Sequence, residues 1–141
     1  MKYVLDSSVA VKWVLPEVDT GKALRFRDDF RNAVHELIAP DIFTVEVAHA
    51  LGRTERQRRI APPKGAALWH DVMLSSPQLY SSTPLVPRAF AIGSAMRIGI
   101  YDCLFVALAE REACELVTSD DKLVKNLGPH FSFIVSLASL P

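Results

Sequence analysis

The sequence predicts an α/β protein with a mostly parallel central sheet. Short, continuous apolar runs alternate along the chain with longer segments in which apolar residues recur every three or four positions. Continuous apolar runs are typical of parallel strands buried on both faces, and the spaced pattern is typical of helices that cover them. With 141 residues and no visible linker or repeat, the chain is expected to form a single domain over residues 1–141.

The first half of the chain begins with a predicted buried strand over residues 1–5. Asp6, Ser7 and Ser8 then provide a helix start, and Pro16 ends the helix predicted over residues 9–15. The next predicted elements are a helix over 20–34, a strand over 36–39, and helices over 41–59 and 64–74. Two consecutive prolines, Pro62 and Pro63, separate the last two helices, because proline interrupts a helix.

The second half of the chain continues the same alternation. The predicted elements are a strand over 79–83, helices over 86–96 and 102–112, a strand over 116–119, a helix over 121–127 and a strand over 131–135. The helix over 102–112 is apolar on nearly all sides, which is typical of a helix buried in the core.

Composition limits the classes of function. Lys and Arg number 16, as do Asp and Glu, so the net charge does not indicate a nucleic-acid partner. The first acidic residue follows only three apolar residues, which is too few for a signal peptide. No apolar run approaches the roughly 20 residues of a membrane span. We therefore expect a cytoplasmic protein without a membrane segment.

Four acidic residues lie beside apolar runs. Asp6 and Asp120 follow predicted strands, Asp102 opens a predicted helix, and Glu46 borders the apolar stripe of another helix. Because ligands bind at the carboxyl ends of parallel strands, three of these acids are expected to share one edge of the sheet, and the neighbouring helix adds the fourth. Clustered carboxylates repel one another unless a cation offsets their charge. The pattern predicts a site for Mg²⁺ or Mn²⁺, which prefer oxygen ligands.

Each acid also has a structural explanation when taken alone. Asp6 and Asp102 are suitable as helix caps, and Glu46 as a partly exposed helix residue. For the helix over 121–127 we favour Asp121 as the cap and Asp120 as the metal ligand. One shared site explains all four acids together.

Other polar residues extend the predicted site. Ser8 and Thr118 each lie two residues from one of the acids, where a hydroxyl can orient a carboxylate or a water molecule. Four arginines at the end of the 41–59 helix form either a solvated helix terminus or a phosphate-contacting patch for RNA: Arg53, Arg56, Arg58 and Arg59.

Four stretches of the sequence, taken in order, resemble the PIN-domain family. They are VLDSSV at residues 4–9, EVAHAL at 46–51, YDCLFVALA at 101–109 and LVTSDDKL at 116–123. Their order, their spacing and the chain length are similar to those of the VapC toxins of VapBC toxin–antitoxin pairs. One departure is Cys103, where the family more often carries alanine.

The resemblance implies a PIN-like three-layer α/β/α sandwich and a Mg²⁺- or Mn²⁺-dependent endoribonuclease. Asp6, Glu46, Asp102 and Asp120 match the family's acidic quartet, and Thr118 matches its hydroxyl residue. The resemblance also implies an RNA substrate, a homodimer, and inhibition by a VapB-like antitoxin whose tail occupies the acidic groove.

Two alternatives remain open from the residues. A phosphatase with Asp6 as the nucleophile needs a second acid two residues later, where this chain has Ser8. A non-catalytic PIN-fold module that binds RNA or protein is favoured by an incomplete quartet, and this quartet is intact.

Overall fold

Five parallel strands form the central sheet in a computed structural model that describes residues 1–141. The strands are β1 (Lys2–Leu5), β2 (Glu36–Pro40), β3 (Gln78–Tyr80), β4 (Glu115–Thr118) and β5 (Ile134–Ser136). Their order across the sheet is β3-β2-β1-β4-β5, which puts β1 at the centre. The predicted α/β sandwich is confirmed, and its sheet is entirely parallel.

Seven α-helices flank this sheet. They are α1 (Ser7–Val11), α2 (Thr20–Arg31), α3 (Phe43–Arg56), α4 (Lys64–Met73), α5 (Val86–Met96), α6 (Ile100–Glu112) and α7 (Asp121–Leu127). The predicted bounds of α5 and α7 agree with the structure. The first helix is shorter than predicted, since it ends at Val11 and continues as turns to Leu15.

The boundaries of the two edge strands also differ from the predicted ones. The strand predicted over 79–83 is β3 at Gln78–Tyr80, which ends where its pairing with Pro40 of β2 ends. The strand predicted over 131–135 is β5 at Ile134–Ser136. Its start is set by pairing with β4, in which Ile134 lies opposite Leu116. Pairing with a distant segment, rather than local apolarity, therefore decides where these strands begin and end.

Helix α6 is the main helix of the core. Residues 103–109 are all buried, and the helix packs against β1, β2 and β4. These residues belong to one cluster of 32 buried apolar residues. Burial on all sides fixes the position of α6, so its first turn is held near the sheet. No single helix is long and apolar enough to cross a membrane, although α6 passes that test jointly with the Thr83–Met96 segment across a bend of 118°.

The strand order reverses between β1 and β4. Val4 of β1 lies opposite Ile38 of β2 on one side and opposite Leu116 of β4 on the other. At the carboxyl end of β1, the backbone N–H of Asp6 donates to the carbonyl of Val117 at 3.1 Å. Parallel α/β sheets bind ligands in the crevice at such a reversal point.

One buried polar residue lies away from this crevice. His35, only 9% exposed, has no hydrogen-bond partner for either ring nitrogen. It packs against the rings of Tyr3 and Phe26, with centroid distances of 5.2 and 4.6 Å. Burial lowers the pKa of His35 because the charged imidazolium is poorly solvated there.

Candidate active site

Asp6 lies at the centre of the crevice and is 5% exposed. It occupies the position before α1, but its side chain makes no capping hydrogen bond, so capping does not explain it. Its Oδ2 instead accepts hydrogen bonds from the hydroxyls of Ser8 and Thr118, the latter at 2.9 Å. These two residues therefore orient the Asp6 carboxylate, as the sequence predicts for hydroxyls at these positions.

The two hydroxyls also connect the ends of β1 and β4. The Thr118 hydroxyl accepts from the backbone N–H of Asp120 at 3.0 Å, and the Ser8 hydroxyl accepts from the N–H of Ser119 at 3.0 Å. Each hydroxyl thus both donates and accepts within the protein. This pairing satisfies polar groups that would be costly to bury alone.

Asp120 caps α7, and this corrects the prediction that Asp121 is the cap. Asp120 Oδ1 accepts from the backbone N–H groups of Lys122 and Leu123 at 3.0 and 3.3 Å. Asp121 lies in the first turn of α7 and is exposed. Because the cap uses Oδ1 alone, Oδ2 of Asp120 is free of protein donors.

The capping geometry predicts different results for the two neighbouring acids. Asp120→Ala is expected to lower the free energy of unfolding by about 1 kcal/mol through loss of the cap. Asp121→Ala is the matched control and is expected to change stability little, and Asp120→Asn keeps an acceptor for the cap. Urea denaturation of the three variants measures this, and a larger loss for Asp121→Ala would contradict the assignment.

Asp102 lies in the first turn of α6 and is half-buried. The prediction that it opens the helix is wrong, since α6 begins at Ile100 after Gly99. Neither carboxylate oxygen of Asp102 accepts a hydrogen bond from the protein, so no structural role of that kind accounts for its burial. Burial, followed by the charges of Asp6 and Asp120, raises the pKa of Asp102 to about 6.

Glu46 approaches the same crevice from the first turn of α3. Its Oε1 accepts a hydrogen bond from the hydroxyl of Ser7 at 3.2 Å. Burial, followed by the charges of Asp6 and Asp102, raises the pKa of Glu46 to about 7. The influence of these two aspartates on Glu46 indicates that the acids from β1, α3 and α6 share one electrostatic environment.

The electrostatic balance of the crevice is negative. Burial is the main cause that raises the pKa of Asp6, and hydrogen bonds from Ser8 and Thr118 offset it in part. The four acids are linked by mutual repulsion, and no lysine or arginine lowers the pKa of Asp6, Glu46 or Asp102. A cluster of this kind lacks a counter-charge within the protein.

The donor set of the crevice fits a hard divalent cation. Asp6 Oδ1, Glu46 Oε2, Asp120 Oδ2 and both oxygens of Asp102 accept no hydrogen bond from the protein. The side chains as they lie do not bring three acids close enough to enclose an ion directly. Mg²⁺ retains several waters when bound to proteins, so carboxylates arranged around a hydrated ion match its chemistry.

An open groove of about 630 Å³ is lined by Glu46, the one acid of the four that it includes. Three residues of its lining carry polar side-chain atoms and are not among the predicted site residues: Ser7, His49 and Tyr101. Tyr101 directly precedes Asp102, and His49 follows Glu46 by three residues on one helical face. The hydrogen bond from Ser7 to Glu46 joins residues 39 positions apart, so no local pattern predicts it.

The four arginines do not form one patch beside the acids. Arg53 lines the groove with Glu46, whereas the others surround a separate depression of about 560 Å³ beyond the end of α3: Arg56, Arg58 and Arg59. All four are exposed, and none makes a salt bridge. Arg53 is thus the one arginine of the predicted patch that shares a groove with an acid of the quartet.

Comparison with known families agrees with this arrangement. Residues 3–127, which include all four acids, match the family model of the PIN domain. The chain belongs to the PIN domain family. The match covers both strands whose ends carry acids, β1 with Asp6 and β4 with Asp120.

Two kinds of relative accompany the family match. Ribonuclease VapC3 of Pyrobaculum aerophilum is 25% identical over 127 residues, which is 89% of this chain and 94% of that protein. A solved structure of a Pyrobaculum aerophilum protein matches this PIN domain with a TM-score of 0.70 at 17% identity, over 99% of this chain and 94% of that one.

Two further solved structures come from toxin–antitoxin systems. A toxin–antitoxin complex from Klebsiella pneumoniae matches with a TM-score of 0.62 at 14% identity, over 96% of this chain and 97% of that one. VapBC2 from Rickettsia felis, bound to a DNA fragment from its promoter, matches with a TM-score of 0.63 at 15% identity and the same coverage. At these identities the matches establish the fold.

Proposed function

We propose that this PIN domain is a Mg²⁺- or Mn²⁺-dependent endoribonuclease and the toxin of a type II toxin–antitoxin pair. The single observation that carries the proposal is the cluster of four acids without a basic counter-charge at the carboxyl ends of β1 and β4. The similarity to Ribonuclease VapC3 supports RNA as the substrate.

The residues that would hold the ion are Asp6, Glu46, Asp102 and Asp120. When bound, the ion supplies charge stabilisation at the phosphate and activates a water molecule for hydrolysis of the phosphodiester bond. Ser8 and Thr118 hold Asp6 through Oδ2, so Oδ1 remains open. Ser7 holds Glu46 through Oε1, so Oε2 remains open. Fixed orientation of these oxygens lowers the cost of assembling the site.

A VapB-like antitoxin is the proposed protein partner. Solved relatives of the same fold include a toxin–antitoxin complex and a VapBC pair, which supports this partner. The proposal also includes a homodimer, as the family resemblance implies. Arg53 is the proposed RNA contact nearest the acids. The arginines at 56, 58 and 59 are proposed to contact a second phosphate, farther along the RNA.

The proposal predicts RNA cleavage that depends on a divalent ion. Protein purified under denaturing conditions, to remove any bound antitoxin, and then refolded is expected to cut RNA when Mg²⁺ or Mn²⁺ is added. Addition of a chelator is expected to stop cleavage. Mapping of the RNA ends on a panel of tRNA, ribosomal RNA and messenger RNA measures the reaction and locates the cut.

Calorimetry with Mn²⁺ distinguishes the alternatives if no RNA is cut. Metal uptake that disappears when Asp6 is replaced supports a nuclease whose substrate is outside the panel. The absence of uptake, in refolded protein of normal circular dichroism, contradicts the proposal and favours a binding module.

A further inference from the structure

A second pocket lies at the edge of the sheet opposite to the acidic crevice. Its volume is about 360 Å³, and its lining includes Tyr3, near the start of β1, and His35, which directly precedes β2. Asp6, by contrast, follows the end of β1. None of the four acids lines this pocket. A ligand bound here is therefore separate from the acidic crevice.

His35 is the polar group of this pocket that has no partner. It is 9% exposed, and neither of its ring nitrogens makes a hydrogen bond. Burial lowers the pKa of His35 and outweighs the opposite effect of Asp29, so the ring is neutral at pH 7. A neutral imidazole has one N–H donor and one acceptor nitrogen. Because buried polar groups are normally paired, this ring is suited to a ligand with polar atoms of its own.

Aromatic rings form an apolar part of the lining. The rings of Tyr3 and Phe26 lie 5.3 Å apart, and each contacts the imidazole of His35. Aromatic rings pack well against other flat rings. The volume of the pocket is also in the range of small-molecule sites, roughly 300–1,000 Å³. These features favour a flat organic molecule over a bare inorganic ion.

Two cations of α2 line the same pocket. Lys22 donates a hydrogen bond to the backbone oxygen of Ala138. Arg25 donates to the backbone oxygen of Pro141 at 3.3 Å. Neither cation forms a salt bridge with an acidic side chain, although Asp29 also lines the pocket. A phosphate group is a stronger acceptor than a neutral backbone oxygen, so it can compete for both cations.

We propose that this pocket binds a nucleoside monophosphate, with its base at His35 and its phosphate on Lys22 and Arg25. The edge of a base offers both donors and acceptors, so it can pair with the ring nitrogen that faces it. The Asp29 carboxylate can accept from the ribose hydroxyls. This site does not depend on the proposed nuclease function, since it shares no residue with the acidic crevice.

Binding requires a local movement of the chain. Neither nitrogen of His35 is exposed to solvent in the unliganded protein. Leu140 and Pro141 line the pocket together with His35. The ligand displaces these two residues, and its phosphate takes the hydrogen bonds that Lys22 and Arg25 otherwise donate to the backbone.

Calorimetry with AMP, GMP, CMP and UMP tests the proposal. The titrations are made at about pH 8, where imidazole is neutral, and with a chelator, so that no metal draws phosphate to the acidic crevice. At least one nucleotide is expected to bind with a Kd of about 1 mM or lower. The matching nucleoside lacks the phosphate and inorganic phosphate lacks the base, so each is expected to bind at least about tenfold more weakly.

Three variants locate the bound nucleotide. Lys22→Ala and His35→Phe are each expected to weaken binding about tenfold, the loss typical of one hydrogen bond with a charged or buried group. Phenylalanine keeps a flat ring against Tyr3, and circular dichroism checks that the variants are folded. Arg27→Ala is the matched control, because Arg27 lies on the same helix and does not line the pocket. Its Kd is expected to equal that of the wild type.

NMR of the histidine rings provides a second measurement. The ring-proton signals of His35 are identified by their absence from the spectrum of folded His35→Phe. They are expected to shift when the nucleotide is added, while those of the other three histidines stay in place. Unmoved His35 signals in the presence of saturating nucleotide overturn the proposal.

Three calorimetric outcomes also overturn it. They are the absence of binding by all four nucleotides, binding of inorganic phosphate as tight as that of the nucleotide, and binding that survives His35→Phe but is lost in Asp6→Asn. The last outcome would assign the nucleotide to the acidic crevice. No RNA is cleaved in these experiments, so their failure leaves the nuclease function standing.

Discussion

Asp6→Asn is expected to abolish RNA cleavage and to stabilise the metal-free protein. Asparagine removes the charge that a divalent ion requires but keeps an oxygen for the hydroxyls of Ser8 and Thr118. Loss of one such electrostatic group is expected to lower the cleavage rate on the order of a thousandfold. The expected gain in the free energy of unfolding is about 1 kcal/mol, because the substitution relieves burial of a charge beside three other acids.

The opposite signs of these two effects make the prediction specific. Asp71→Asn is the matched control, since Asp71 is exposed on α4 and makes no hydrogen bond. That variant is expected to match the wild type in both assays. Cleavage by Asp6→Asn at the wild-type rate would show that the Asp6 carboxylate is not needed for catalysis. Destabilisation of its metal-free form in urea would show that burial of the Asp6 charge is not costly.

Raising the pH from about 5 to about 8 is expected to destabilise the metal-free protein by about 2 kcal/mol. The pKa of Glu46 is about 7 in the folded protein against 4.5 ordinarily, and that of Asp102 is about 6 against 3.8. Between these values the folded state binds more protons than the unfolded state, so stability falls as the pH rises. The loss begins near pH 4 and is complete above about pH 7. The two pKa shifts taken in full would give a larger loss in the free energy of unfolding. Solvent screening reduces the loss, because Glu46 and Asp102 are only half-buried.

Mg²⁺ is expected to restore the stability that is lost at high pH. The ion binds deprotonated carboxylates, so it should raise the free energy of unfolding more at pH 8 than at pH 5. Urea denaturation across this range, with Mg²⁺ or with chelator, measures both effects. Glu46→Gln is expected to flatten the pH dependence, because it removes a carboxyl group whose pKa is raised. Glutamine keeps an oxygen that can accept the hydrogen bond from Ser7. An upward slope with pH in the metal-free protein would contradict the prediction.

His35 contributes to the same titration with the opposite sign. Because its pKa is lowered in the folded protein, the unfolded chain binds a proton more readily, and stability rises as the pH increases toward 6.5. His35→Phe removes this contribution, so the expected downward slope in that variant comes from the acids.

Local patterns in the sequence predicted most of the elements and the identity of the acidic residues. Val4 and Leu5 form a buried run that ends at Asp6, and 116–118 form another that leads to Asp120; both are strands. Apolar runs of this kind are typical of buried parallel strands, so they predict that a strand is present. The bounds predicted for α5 and α7 also agree with the structure, although the cap predicted for α7 was the wrong one of two neighbouring acids.

Only the structure shows which residue caps α7 and where the two edge strands end. Asp120 and Asp121 are both suitable caps by residue type, and the backbone conformation of Asp120, in the extended region at φ −84° and ψ 104°, decides between them. The ends of β3 and β5 depend on pairing with distant strands, which outweighs local preference.

The sequence by itself determined that buried runs end in acids and that these acids match the order of a PIN domain. Only the tertiary structure decided that β1 lies between β2 and β4, that Ser7 reaches Glu46, and that Tyr101 and Arg53 share one groove. The physical reason is that local propensity acts over a few neighbouring residues. Strand order and side-chain contacts depend instead on packing between segments far apart in the chain, which is decided by the burial of the whole core.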